Sequence, residues 1–142
     1  MGASTIISIL EDDMEVAQSA ELLVLQPMAG AASLRAWLCS HGWQLAAEEL
    51  VDDAPHFYEI IAAKRGPAPA YSAAECAVGP LLLEQKHPLL GKQLERQLAT
   101  CRQLLENMGR SERARASEKY KEIEALKAEL EVLQNGKRSD SK

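Results

Sequence analysis

Apolar positions along this chain follow three rhythms, and each predicts a different kind of element. Gly2-Ala3-Ser4 is a small-residue stretch that lets the backbone turn tightly or come close to a ligand, and Ile6 to Leu10 after it reads as an apolar helix capped by Ser4 or Thr5. The polar stretch Glu11 to Glu21 is followed by LLVLQP, a continuous β-rich run stopped by Pro27, which predicts a strand buried on both faces as in a parallel sheet. Helical spacing returns from Ser33 to Ser40, placing Leu34, Trp37, Leu38 and His41 on one face, with Gly42 as the stop. Trp43 to Val51 then alternates, Asp52 to Pro55 carries turn residues, and His56 to Ala63 alternates again. That is the pattern of an antiparallel β-hairpin.

Beyond Lys64 the rhythm changes. Gly66, Pro67 and Pro69 mark a linker running to Val78. From Leu90 the apolar positions Leu94, Leu98, Cys101, Leu105 and Met108 recur at heptad spacing, and a second series runs through Tyr120, Ile123, Leu126, Leu130 and Leu133. The charged, small-residue stretch Gly109 to Ser117 separates them, so the two stripes predict an antiparallel helical hairpin of coiled-coil type. The expected organisation is an α/β portion over residues 1–65, a linker over 66–79, the hairpin over 80–134 and a flexible tail over 135–142.

Composition, at 46% hydrophobic and 26% charged residues, is that of a folded chain. No apolar run approaches the ~20 residues that span a bilayer, and no basic residue falls within the first ten, which points to the cytoplasm. Cys39, Cys76 and Cys101 are odd in number, widely spaced and without a CxxC, so both disulfide and zinc readings fail and buried, reduced thiols remain. His41, His56 and His87 likewise lack ligand spacing. The net charge of −5 divides unevenly at Pro88: the α/β side carries −8 and the helical side +3.

The order helix, apolar strand, helix, antiparallel strand pair is that of the closing half of a class I methyltransferase sheet, in which the last strand is inserted antiparallel between its predecessors. The residues LVLQPMAGAASLRAWLCSHGWQLAAEELV, HFYEIIAAKRG and VGPLLLEQKHPLL, ahead of a heptad hairpin, resemble the bacterial tRNA (adenine-22-N1)-methyltransferase family. The resemblance covers Met1 to about Leu133. It implies a Rossmann-like α/β fold, S-adenosylmethionine as cofactor and tRNA as substrate. Met1-Gly2-Ala3 matches the last three residues of the family's Gly-Met-Gly-Gly-like loop, with Ala3 for the final glycine. The chain therefore resembles the second half of such an enzyme, either because Met1 is an internal methionine or because the chain was cut there. The first half would carry the glycine-rich cofactor loop and the acidic residue that grips the ribose, and no GxGxxG-type loop occurs in these residues, so the chain alone is expected to be inactive.

Methylating N1 of adenine asks a protein mainly to orient and desolvate a ring nitrogen, with a base to remove a proton at some stage. The resemblance implies that the target base enters beside Met1, Gly2 and Ala3 at the carboxyl end of the LVLQP strand. Gln26 is then the candidate for a base-edge contact, and Pro27 and Met28 are candidate pocket walls. The family pattern carries Asn at the Met28 position, which puts the role of Met28 in doubt. A strand-end amide bonded to backbone is the rival reading of Gln26. Tyr58-Glu59 reads as a structural strand pair without a base or metal partner in sequence reach, the catalytic base is left unassigned, and Trp37 and Trp43 read as core. Arg110, Arg113 and Arg115, interrupted only by Glu112 and lying at the hairpin turn, are candidate phosphate contacts for a folded RNA. Two functions compete: a tRNA methyltransferase, and a non-enzymatic coiled-coil module that recruits a helical partner. A strand with an unpaired edge also predicts self-association.

Overall fold

The computed structural model describes residues 6–7, 11, 22–27 and 29–140, the last four of them by backbone alone. They divide after His87 into two compact units. The first is built on three strands, β1 (Leu22–Leu25), β2 (Trp43–Asp53) and β3 (His56–Arg65), in the order β1-β3-β2. β3 pairs antiparallel with both neighbours, from Leu22 opposite Lys64 to Leu25 opposite Ile61 on one side and from Trp43 opposite Arg65 to Asp53 opposite His56 on the other. β1 and β2 therefore run in the same direction with a reversed strand between them, as the resemblance implies.

Helix α1 (Ala31–Ser40) covers one face of this sheet. Its buried stripe is Ala31, Leu34, Arg35 and Leu38, the i, i+3, i+4, i+7 series that a helix lays on a flat surface. Trp37 packs at the margin of this stripe and His41 is exposed, stacked on the Trp37 ring with centroids 4.2 Å apart, so the expected apolar face is rotated by one position. A register shift between Leu45 and Ala47 decides which residues of β2 face α1. Trp43 and Leu45 point inward before it, and Glu48 and Leu50 after it; the extra residue, Ala46, moves the inward set from odd to even numbers.

β1 departs from expectation. It is not buried on both faces: Leu23 and Leu25 pack on the core, while Leu22 and Val24 are 55% and 66% exposed. Its partner is the antiparallel β3, and on the face opposite α1 Leu22, Val24 and Val51 are exposed while Tyr58, Ile60 and Ala62 are half-buried. The expected linker is also partly helical. Ser72 caps α2 (Ala73–Val78) in a capping box, its hydroxyl accepting from the Glu75 amide at 3.1 Å while the Glu75 carboxylate accepts from the Ser72 amide at 2.9 Å. Buried Gly79 joins α2 to α3 (Pro80–Gln85), which belongs to the first unit and not to the hairpin.

The second unit consists of α4 (Leu90–Met108), the short α5 (Glu112–Arg115) and α6 (Glu118–Asp140). Leu90, Leu94, Leu98 and Cys101 of α4 and Ile123 and Leu130 of α6 are buried, in agreement with both heptad stripes, and the two long helices pack on each other. The expected tail is helical as well, since α6 continues without interruption to Asp140.

Candidate substrate-binding and RNA-binding sites

At the carboxyl end of β1, Gln26 is exposed and Pro27 is buried. Gly30, at φ 73°, supplies the left-handed residue that turns the chain into α1, and the Leu34 amide donates to its carbonyl at 3.1 Å. Met1, Gly2, Ala3 and Met28 lie outside the described residues. The β1 ladder stops at Leu25 opposite Ile61, yet β2 and β3 go on pairing as far as Asp53 opposite His56. The end of β1 is thus flanked by a projecting hairpin.

Sequence reasoning gave no role to the most elaborate polar cluster of this unit. Arg35 is fully buried; its Nε donates to Glu48 at 2.6 Å, one Nη to the Cys76 carbonyl at 2.8 Å and the other to Glu59 at 2.9 Å. The second oxygen of Glu48 accepts the amides of Leu81 and Leu82, at 3.0 and 3.4 Å, so one carboxylate joins α1, β2 and the start of α3. An arginine on the apolar stripe of an amphipathic helix was the available signal, but its partner Glu48 turns inward only through the shift at Ala46. Glu59 is therefore structural, as expected, with a side-chain partner in place of a backbone one.

The thiols are quiet. Burial pushes Cys39, Cys76 and Cys101 above their ordinary value, which disfavours the thiolate that a nucleophile or metal ligand requires. Cys39 and Cys76 line a cavity of about 340 Å3 with Tyr71 and Pro69, and neither Gln26 nor Pro27 lines it. Gly66 and Gly79, both at positive φ, already have Gln44, or Leu82 and Glu48, within 3 Å of where a Cβ would stand. They close turns and leave no space for a cofactor.

In the second unit, the hairpin turn is made by two serine caps: Ser111 Oγ accepts from the Ala114 amide at 3.3 Å, and Ser117 Oγ accepts from the Tyr120 amide at 3.2 Å. Arg110, Arg113 and Arg115 are exposed here and have no ion-pair partner among the described residues. The lysines of α6 differ. Lys119, Lys121 and Lys127 stand 4.0, 3.6 and 3.2 Å from Glu122, Glu118 and Glu131, about one helical turn away. The turn therefore collects three unneutralised guanidinium groups where the helix flanks balance their charge.

An open α/β sheet end with a reversed strand between two co-directional ones defines a Rossmann-like protein. A Streptococcus agalactiae protein of the NADB-Rossmann superfamily is similar to it over 94% of this chain and 56% of its own length, at 25% identity and a TM-score of 0.77. The chain belongs to the tRNA (adenine(22)-N(1))-methyltransferase family, whose profile matches residues 1–135. The Bacillus subtilis (strain 168) tRNA (adenine(22)-N(1))-methyltransferase is 27% identical over 138 residues, covering 94% of this chain and 57% of the relative. A Streptococcus pneumoniae protein provisionally described as a tRNA (m1A22) methyltransferase, crystallised with S-adenosyl-L-methionine, shares 25% identity at a TM-score of 0.74 over 94% of this chain and 56% of its own. The chain thus spans a little over half the length of these relatives.

Proposed function

We propose that this chain serves in the methylation of N1 of an adenine in tRNA, with S-adenosylmethionine as the methyl donor, in the cytoplasm. The observation that carries the reading is the match of nearly the whole chain to one tRNA methyltransferase family, joined to a sheet end of the corresponding topology. The donor supplies an electrophilic methyl group. What the described residues contribute is placement of the base: the exposed Gln26 amide, at the carboxyl end of β1, can donate to a ring nitrogen or accept from the exocyclic amine. Pro27 stiffens the strand end that carries it. Arg110, Arg113 and Arg115 hold the phosphates of the folded RNA, a role supported by their exposure and lack of carboxylate partners. The edge of β1 is a place where a second copy can pair.

The experiment is genetic and chemical. Total tRNA from host cells with and without the gene is digested to nucleosides and N1-methyladenosine is quantified by mass spectrometry. Its loss on deletion and return on complementation are expected; an unchanged level overturns the proposal.

A further inference from the structure

The projecting β2–β3 hairpin carries a pair of aromatic rings that the reading above does not use. Alternation along β3 separates Tyr58 from Glu59: the Glu59 carboxylate turns toward Arg35, so the half-buried Tyr58 belongs to the opposite face. On that face the Tyr58 ring is stacked with the exposed His56 ring, centroids 5.9 Å apart at 27°, and its cross-strand neighbour Val51 is 39% exposed. The same alternation puts Val24 of β1 on this face, opposite Ala62, and the exposed Gln26 follows directly after the strand's last residue, Leu25. Tyr58 lies three residues beyond Ile61, the last partner of β1, on the part of the hairpin that projects past the strand end carrying Gln26.

We propose that Tyr58, with His56 stacked on it, is the platform on which the target adenine is held by its face while Gln26 addresses its edge. This rests on the methylation reading. An unpaired base in RNA is recognised by stacking on an aromatic ring together with hydrogen bonds to its edge, and the hairpin offers the first beside a strand end that offers the second. Charge agrees with contact to a base and not to the backbone. Asp53, opposite His56, and Glu49, opposite Ile60, lie on the same face as the rings and repel phosphate, whereas the unpaired arginines belong to the other unit. The Tyr58 hydroxyl has no hydrogen-bond partner among the described residues, so a structural bond does not account for the residue.

The test uses the protein as isolated from its host, assayed for methyl transfer to tRNA and cross-linked to tRNA by ultraviolet light. Tyr58→Leu, which keeps apolar area and removes the ring, is expected to lower kcat/KM for tRNA by about tenfold to a hundredfold, with Tyr58→Phe and Tyr58→Trp restoring most of it. His56→Ala, at an exposed position, lowers it less. S-adenosylmethionine affinity and the melting temperature of Tyr58→Leu stay at the parental values. Cross-linked nucleotide is expected on residues 56–58. A Tyr58→Leu variant that methylates tRNA as well as its parent overturns the platform, as does a cross-link map without residues 56–58. A parent that transfers no methyl to tRNA but still cross-links there removes the methylation reading and leaves base stacking by the hairpin standing.

Discussion

Arg35 is the residue on which the first unit depends most. A guanidinium with no solvent exposure is tolerated because Glu48, Glu59 and the Cys76 carbonyl take its donors. Arg35→Met fills much of the same volume but strands two carboxylates, and is expected to cost about 3–5 kcal/mol in urea denaturation; a loss under about 1 kcal/mol would show that water reaches the cluster. Gly79→Ala is a second point of failure, since its φ of 118° is strained for any side chain and a Cβ would stand 2.7 Å from Leu82 Cδ1 and 2.8 Å from Glu48 Oε2. Beside Glu48, Glu49 faces outward toward the His87 ring. The Leu50 amide, donating at 2.9 Å, and then His87 hold its carboxyl below the ordinary 4.5. A depressed folded value stabilises the protein above the unfolded value and loses that effect as pH falls through the folded one. Urea midpoints of the parent and Glu49→Gln should therefore differ above pH 4.5 and converge below it. Midpoint curves that stay parallel to about pH 3 would refute the assignment.

At the level of elements, the patterns that were legible in sequence are those with a strong period. Both heptad stripes, the helix after Gly30 and the hairpin between Trp43 and Arg65 stand where alternation or i, i+4 spacing puts them. β1 was misread because LLVL has no polar residue to reveal its outward face, so a run exposed on one side looks the same as one buried on two. The helix α2 was hidden behind Gly66, Pro67 and Pro69, although Ser72 and Glu75 already spell a capping box. Ser72→Ala is expected to cost about 1 kcal/mol. Of the base site only Gln26 and Pro27 could be placed, and the aromatic hairpin end became visible only once the register showed how far β2 and β3 outrun β1. The hairpin turn makes the sharper prediction. Three exposed arginines without carboxylate partners release counterions when they bind phosphate, so replacing Arg110, Arg113 and Arg115 by Ala should weaken tRNA binding and make the slope of log K against log salt shallower by about 2–3. Parental slope and affinity in filter binding would reassign the turn to a structural role.

For the whole molecule, the uneven covering of the sheet has the largest consequence. α1 protects one face, while Leu22 and Val24 are exposed on the other, and along its outer edge β1 has no strand partner among the described residues. Each of these side chains forgoes part of the ~1.5–3 kcal/mol that full burial of a Leu or Val contributes. An unpaired row of backbone amides and carbonyls beside an apolar surface is a template for another strand, and a second copy of β1 meets its requirements in hydrogen bonding and hydrophobicity alike. The acidic balance of the first unit, −8 over residues 1–87, opposes that pairing at low ionic strength and less so once salt screens it. Association of the 142-residue polypeptide should therefore increase with concentration and with salt, the reverse of the salt dependence expected for tRNA binding. Val24→Lys places a charge on the open face without touching the core, and should shift sedimentation toward the monomer while leaving thermal unfolding unchanged. If the parent sediments as a monomer at every concentration and melts cooperatively, the edge of β1 is not an association surface and its exposed leucine and valine are tolerated in solution.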